Sequence, residues 1–237
     1  MDYGTLYLIP CPISDETAPW DVLPAANRDV MNSLDYFIVE NTRSARRFLS
    51  KAGVERPIGE LEFRELNEHT AAGREVEELV KPLLEGRSAG VISEAGVPGV
   101  ADPGALVVEA CHRRGICVVP LVGPSSIILA VMASGLNGQS FAFNGYLPVK
   151  PPERAKAIRF FERRALTEGQ SQLFIEAPYR NGKLMEQLVQ TLGAETRLTV
   201  AVELTAPGGR IETRTAGEWR RRPLPELNKR PAIFIIG

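Results

Sequence analysis

The sequence predicts an α/β protein built as two α/β domains, the first with a parallel sheet and flanking helices, the second with a mixed sheet. Three observations lead there. Short apolar runs alternate with helix-like segments along the 237 residues, the pattern of βαβ units. Glycine- and proline-rich loops recur where an apolar run hands over to a helix-like segment, the place where open α/β sheets carry ligand loops. In the second half the alternation breaks: runs at 198–204 and 210–215 are joined by a short loop holding Gly208-Gly209. No helix fits between them, so an antiparallel pair is expected there.

Taken in order, residues 5–10 (Thr-Leu-Tyr-Leu-Ile-Pro) form the first strand and 24–33 the first helix. A strand at 36–40 and a helix at 44–52 follow. The segment 70–85 is a helix because Val76, Leu79, Val80, Leu83 and Leu84 recur at helical spacing. The apolar run 89–93 is a strand, 105–114 a helix, 116–121 a strand and 125–134 an apolar helix. Beyond lie a strand at 141–146, a strongly basic helix at 153–166, a strand at 172–176 and a helix at 182–192. The strand pair and a last strand at 232–236 complete the series, with the Arg- and Pro-rich stretch 220–225 as an exposed loop before that strand. A boundary near 121–124 gives domains of 1–121 and 122–237.

Composition narrows the function classes. With 44% hydrophobic residues the chain can bury a substantial core. Its longest apolar runs fall well short of the roughly 18 residues that span a bilayer. Met1-Asp2-Tyr3-Gly4 leads straight into a strand-like run, unlike a secretory leader. Cys11, Cys111 and Cys117 are odd in number, sit in apolar contexts and lack CxxC spacing, so they read as reduced core residues of a cytoplasmic protein. Two histidines and no Cys/His cluster argue against a zinc site. Net charge is −1, but residues 1–120 hold 12 Lys+Arg against 19 Asp+Glu (−7) and residues 121–237 hold 16 against 10 (+6). Such asymmetry points to an anionic partner on the basic half, or to ordinary surface variation.

The most informative stretch is Ser93-Glu94-Ala95-Gly96-Val97-Pro98-Gly99-Val100-Ala101-Asp102-Pro103-Gly104, between a strand and a helix. Its glycines let backbone approach a ligand and its prolines stiffen the turns. Gly123-Pro124-Ser125-Ser126 opens an apolar helix, where a capping serine and free amides suit a carboxylate or phosphate. The first strand ends in Pro10-Cys11-Pro12-Ile13 in place of a G-x-G-x-x-G turn, and no Walker A sequence is present. That weighs against NAD, FAD and ATP. Glu40-Asn41-Thr42-Arg43-Ser44 lies at another strand-to-helix junction, where Thr42 or Ser44 is placed to cap and Arg43 to hold a phosphate. Glu176-Ala177-Pro178-Tyr179-Arg180 ends a strand, with its Glu and Arg placed either to grip substrate or to pair with each other. Leu66-Asn67-Glu68-His69-Thr70 precedes a helix, its polar groups serving as a cap or facing a substrate cleft. On the basic helix, Arg154, Lys156, Arg159, Arg163 and Arg164 are either a phosphate-tracking patch or a solvated face.

Together these motifs resemble the tetrapyrrole methylase superfamily, the class III S-adenosylmethionine-dependent methyltransferases. The branch they are most similar to 2′-O-methylates a cytidine ribose of 16S ribosomal RNA. Gly4-Thr5-Leu6-Tyr7 and Pro10-Cys11-Pro12-Ile13 match its opening, and Glu40-Asn41-Thr42-Arg43 matches E-D-T-R but for one letter. Ser93 to Gly104 matches S-D-A-G-x-P-x-x-x-D-P-G but for Glu94. Gly123-Pro124-Ser125-Ser126, Gly145-Tyr146-Leu147-Pro148 and Glu176-Ala177-Pro178-Tyr179-Arg180 follow in the expected order.

The resemblance implies a methyl donor, S-adenosyl-L-methionine, bound in a cleft between two α/β domains of a cytoplasmic homodimer, without metal or membrane. It implies donor contacts at Ile13, Glu94, Val97, Ser126 and Ile127, with Ala177, Leu204 and Ala232 from the second domain. It makes ribosomal RNA the expected acceptor, with Glu176, Glu40 and Glu68 as candidate bases for a weakly nucleophilic hydroxyl. Arg43, Arg180 and Asn67 would hold substrate. Three departures mark this sequence: Glu94 for Asp, Asn41 for Asp, and an end at Gly237 where ribosomal members continue into a small extension. The alternatives are a methyltransferase for a tetrapyrrole, another small molecule or a protein, and a donor-binding protein without catalysis.

Overall fold

The computed structural model describes residues 2–66 and 73–237. The chain forms two compact units, Met1–Ser125 and Ser126–Gly237. The boundary falls after Ser125 rather than after Leu121, because the loop that follows β5 packs back on the first unit. Val122 O accepts a hydrogen bond from Asn27 Nδ2 (2.9 Å) there.

The first unit is a five-stranded, all-parallel sheet in the order β3-β2-β4-β1-β5, made of β1 (Thr5–Ile9), β2 (Tyr36–Val39), β3 (Glu62–Glu65), β4 (Ala89–Ile92) and β5 (Cys117–Pro120). Its helices are α1 (Pro19–Val22), α2 (Ala26–Ser33), α3 (Thr42–Ala52), α4 (Arg74–Leu84) and α5 (Gly104–Arg114). Strand side chains alternate between two cores, as a period of two requires. Tyr7, Ile9, Phe37, Val39 and Ile92 meet α2 and α3 on one face. Leu6, Leu8, Tyr36, Ile38, Ala89 and Val91 meet α4 and α5 on the other. The two-layer burial follows from right-handed crossovers: chain segments moving toward β3 cover one face and those returning toward β5 cover the opposite one.

The second unit is a mixed sheet in the order β6-β7-β10-β8-β9. Its strands are β6 (Phe141–Tyr146), β7 (Ser171–Ile175), β8 (Arg197–Val202), β9 (Arg210–Thr215) and β10 (Ala232–Ile236). β6 and β7 are parallel, β10 runs against both β7 and β8, and β8 and β9 form the antiparallel pair expected from Gly208-Gly209. Helices α7 (Pro151–Glu168), α8 (Asn181–Thr191) and α9 (Ala216–Arg220) bury Phe174, Leu198, Val200, Phe234 and Ile236 on one face. Helix α6 (Ser126–Ser134) covers Leu173, Ala201, Ile233 and Ile235 on the other.

Five elements depart from expectation. β3 is an edge strand of sequence Glu-Phe-Arg-Glu whose inward contribution is Phe63 alone, so it lacks the apolar run that marks its neighbours. α1 is a single turn started by Pro19, and the helix expected at 24–33 begins at Ala26. α9 is a short helix closed by a capping box between Thr215 and Glu218. Helix α3 is capped by Asn41, not by Thr42 or Ser44: its Oδ1 accepts from the Arg43 and Ser44 amides at 2.9 and 3.1 Å. Asn and Asp serve equally well at this position, so the departure from E-D-T-R leaves the helix start intact. Among the described residues no helix is long and apolar enough to cross a membrane.

Candidate functional site

In the first unit β1 and β4 are neighbours whose following connections leave toward opposite faces. The crevice outside their carboxyl ends is therefore the topological switch point of the sheet, where open α/β sheets bind ligands. Both Pro10-Cys11-Pro12-Ile13 and the 93–104 loop arrive there. They are tied together: Cys11 N donates to Gly96 O (2.9 Å) as an isolated antiparallel bridge, and Cys11 Sγ donates to Ser93 O (3.3 Å). Burial pushes the Cys11 thiol up to about 12.

The 93–104 loop is built around Asp102. Its carboxylate accepts from Gly99 N (2.9 and 3.0 Å to the two oxygens) and Gly104 N (2.7 Å), clasping the loop to the start of α5. Burial raises its pKa above the ordinary carboxylate value, and the two amide bonds oppose that rise. Gly96 and Gly99 stand in the left-handed region (φ 72° and 83°), and so does Ala101 (φ 61°), a residue with a β-carbon. Strain of this kind gathers where a loop is held for function.

The loop after β5 closes on the same end. A β-carbon on Gly96 would lie 3.4 Å from Pro124 O, and one on Gly123 would lie 2.4 Å from ring carbons of Pro10. At the carboxyl end of β2, Glu40 Oε2 accepts from Glu94 N (3.3 Å), and Ser44 Oγ lies 3.4 Å from Glu94 Oε1. Ile13 and Val97 are partly buried, while Glu94 and Arg43 are exposed. Thus Ile13, Glu40, Glu94 and Val97 meet at one sheet end, with Arg43 in the first turn of the adjoining α3. Beside Val97, an open groove of about 660 Å³ runs between the loop, α5 and the end of β5, lined largely by Leu8, Val97, Val100, Val108 and Leu121. Asn67, Glu68 and His69 lie outside the described residues, as does the start of the helix expected at 70–85.

In the second unit Ser126 and Ile127 open α6, and the Ile127 side chain packs on the core of that unit. Ala232 begins β10 opposite Val202 and next to the end of β7, since Ile233 pairs with Ile175. Ala177, Leu204 and Ala232 therefore gather along one edge of the sheet where its three central strands, β7, β8 and β10, end or begin. The chain there carries two further residues at positive φ, Glu203 (47°) and Thr205 (69°).

Glu176 occupies the same edge, with its side chain 0% exposed. Its Oε1 accepts from Ala177 N (2.7 Å) and from Arg180 Nε and Nη2 (2.9 and 2.6 Å), while Oε2 is buried without a hydrogen-bond partner among the described residues. Of the two roles open to this pair in the sequence, the structure displays the intramolecular ion pair. On the basic helix, Arg154 is buried against Gln187 and Arg164 pairs with Glu168, leaving Lys156, Arg159 and Arg163 on the exposed face. Among the described residues no three His, Cys, Asp or Glu side chains gather as a metal site requires.

The thiols give a direct check on the crevice. Cys11 and Cys111 are buried, and burial holds their pKa values at about 12 and about 11, so both stay protonated at neutral pH. Cys117, expected in the core from its apolar neighbours, is instead exposed, because β5 is an edge strand. Native protein at pH 7.5 is expected to release one fast equivalent with an aromatic disulfide reagent, from the exposed Cys117, and all three after unfolding. Rapid labelling of Cys11 in the native state would mean that the bridge to Gly96 opens readily.

Comparison with known proteins adds the family. The model of the Tetrapyrrole (Corrin/Porphyrin) Methylases matches residues 6–219. The chain is similar to the ribosomal RNA small subunit methyltransferase I of Xylella fastidiosa (strain Temecula1), 31% identical over 98% of this chain and 80% of that protein. It is similar to the protein of that name from Escherichia coli O157:H7, 32% identical over 98% of this chain and 77% of the relative. Among solved structures it is similar to the methyltransferase CobJ, with a TM-score of 0.64 and 16% identity over 100% of this chain and 94% of that one. It is likewise similar to a uroporphyrin-III-C-methyltransferase from Thermus thermophilus, with a TM-score of 0.55 and 19% identity over 99% and 92%. At those identities the two structures speak to the fold alone.

Proposed function

We propose, from the premise that this chain belongs to the tetrapyrrole methylase family, that it transfers the methyl group of S-adenosylmethionine to a ribose 2′-hydroxyl of small-subunit ribosomal RNA. The observation that carries this reading is the similarity, over 98% of the chain, to proteins named ribosomal RNA small subunit methyltransferase I. When bound, S-adenosylmethionine supplies a methyl group already activated on a sulfonium, so transfer is a displacement that asks the protein for alignment and dryness.

The residues at the β1/β4 crevice fit such a donor. The exposed Glu94 carboxylate accepts hydrogen bonds from hydroxyl or ammonium groups, and Ile13 and Val97 offer apolar flanks for a flat ring. A β-carbon on Gly99 would meet nothing within 4 Å, so the loop backbone faces open space there. The remaining donor contacts fall to Ser126, Ile127, Ala177, Leu204 and Ala232. Of the two described carboxylates able to take the hydroxyl proton, Glu176 is sealed against Arg180, whereas Glu40 is only partly buried. The base role is therefore assigned to Glu40, and Arg43, exposed in the first turn of α3, to a phosphate of the acceptor. The same reading makes the protein a cytoplasmic homodimer, to be checked by light scattering.

The test is tritiated S-adenosylmethionine incubated with small ribosomal subunits, soluble proteins and small molecules from cells lacking this activity. Label in small-subunit RNA, resistant to alkaline hydrolysis of the adjoining phosphodiester, is the expected result. Label confined to a tetrapyrrole or protein fraction, or no label anywhere despite donor binding, overturns the assignment. Glu40→Gln is expected to lower kcat roughly 100-fold, within the usual range for a general base, with little change in donor affinity.

A further inference from the structure

The second unit carries a pair of exposed aromatic rings that the donor reading does not use. Tyr146 ends β6 and Tyr179 lies in the turn after β7, so both stand at the carboxyl ends of adjacent parallel strands. Their exposures, 62% and 65%, are unusual for large side chains whose rings are fixed in position. Each is aimed by a specific device. The β6–β7 register shifts between Phe143 and Tyr146, and Gly145 takes φ 63°, a bulge that turns the last side chain of β6 away from its ordinary direction. The Pro178–Arg180 turn is pinned by Lys229 N donating to Pro178 O (3.0 Å) and Arg180 N donating to Ala177 O (2.8 Å).

Arg180 braces Tyr179. Its Nε and Nη2 are held by the buried Glu176, its Nη1 donates to Tyr179 Oη (2.8 Å), and its guanidinium lies 5.0 Å from the centre of the Tyr179 ring. Both rings remain open to solvent, and the orientation of Tyr179 is set before anything binds. A buried carboxylate spent on fixing one arginine, and that arginine spent on fixing one exposed ring, is more than a surface tyrosine needs. The half of the chain around them carries 16 Lys+Arg against 10 Asp+Glu, and Lys156, Arg159 and Arg163 are exposed on α7, which begins a few residues after Tyr146.

We infer that Tyr146, turned outward by the β6 bulge, and Tyr179, braced by Arg180, form a stacking platform for an unpaired RNA base, with the basic half of the chain following the adjoining phosphates. Aromatic faces accept any base, and a guanidinium beside them adds cation–π attraction, the means by which proteins grip single-stranded RNA. The platform would hold a base out of its stack. This inference rests on the RNA reading above and names the part of the acceptor that the second unit grips.

The experiment uses the full chain and a short single-stranded RNA in which one base is replaced by 2-aminopurine, whose fluorescence is quenched on stacking. Wild type is expected to quench it. Tyr146→Ala and Tyr179→Ala are each expected to weaken binding roughly tenfold and to lose much of the quenching, because stacking contributes on that scale per base. Tyr146→Phe and Tyr179→Phe should keep both, since they retain the ring face, and donor affinity should be unchanged in all four. Retained RNA affinity and quenching in both alanine variants overturns the platform while leaving the RNA reading intact. Absence of quenching by a wild type that still labels small-subunit RNA overturns the platform alone. Failure of wild type both to bind RNA and to label it removes the RNA reading and the platform with it. Tyrosine-dependent quenching of a porphyrin, with none of the RNA probe, overturns the assignment to RNA.

Discussion

Gly123→Ala is expected to destabilise the first unit by about 1–3 kcal/mol, the usual cost of inserting a methyl where no space exists, and to weaken S-adenosylmethionine binding at least tenfold. The new β-carbon would fall 2.4 Å from both Cβ and Cγ of Pro10 and 3.2 Å from Leu23 Cδ2. Pro10 has no rotamer to escape into, since its ring is fused to the backbone at the end of β1. The 121–125 loop has little freedom either. Leu121 N donates to Leu8 O (3.0 Å) on one side and Asn27 Nδ2 holds Val122 O (2.9 Å) on the other. The clash is therefore relieved only by lifting the loop from β1, which also moves Pro124 away from Gly96 and Ser126 away from its place at the start of α6. Thermal unfolding and calorimetric titration with S-adenosylmethionine read both effects. Gly59→Ala is the control, because a β-carbon there meets nothing within 4 Å and the change should stay within about 0.5 kcal/mol. A Gly123→Ala protein that melts and binds like wild type would show that the loop does not bear on β1 as tightly as the geometry requires.

Legibility in the sequence followed burial. Strands buried on both faces read as apolar runs, and β1, β2, β4 and β10 stand out accordingly. β3 pairs along one edge only and needs only Phe63 inside, so its charged sequence hides it. The six-pair register of β8 and β9 is announced by Gly208-Gly209, whereas α9 behind it is too short to show helical periodicity although Thr215-x-x-Glu218 is a capping-box signature. At the candidate site, motif order brought Ile13, Glu94 and Val97 to one sheet end, because strand-to-helix loops of a parallel sheet all open on the same side. What the sequence left undecided is which partner each polar group chooses. Glu176 and Arg180 four residues apart are compatible with gripping a substrate or each other, and only the turn at Pro178 brings the guanidinium onto the carboxylate. Asp102 is one of several carboxylates in the motif until its distances to Gly99 N and Gly104 N single it out. Tyr146 depends on a bulge, which no periodicity announces.

Asp102→Ala is expected to cost the first unit about 2–3 kcal/mol, because two amides that the carboxylate now satisfies would be left unpaired in a partly buried loop, and to abolish measurable donor binding at micromolar protein. Asp102 accepts from Gly99 N and Gly104 N, and between those residues the backbone passes through Ala101 at φ 61°. Without the clasp nothing opposes the relaxation of Ala101 out of the left-handed region, and Val97 to Val100 lose their fixed path beside the crevice. Asp102→Asn separates the clasp from the charge, since its amide oxygen can still accept from both amides. The pH dependence gives the sign. Burial raises the folded-state pKa of Asp102 above 3.8, so between those two values the native protein holds a proton that the unfolded chain has released. Its contribution to stability is therefore full below 3.8 and is lost as pH rises through the folded value. The stability of wild type relative to Asp102→Asn should fall over that window and then level off, while Asp102→Ala stays below both at neutral pH. Urea unfolding at a series of pH values measures the difference with the other carboxylates cancelling. A flat difference would mean that the two amide bonds fully offset the effect of burial on Asp102, and an Asp102→Ala protein as stable as Asp102→Asn would remove the clasp as the reason for the shape of the 93–104 turn.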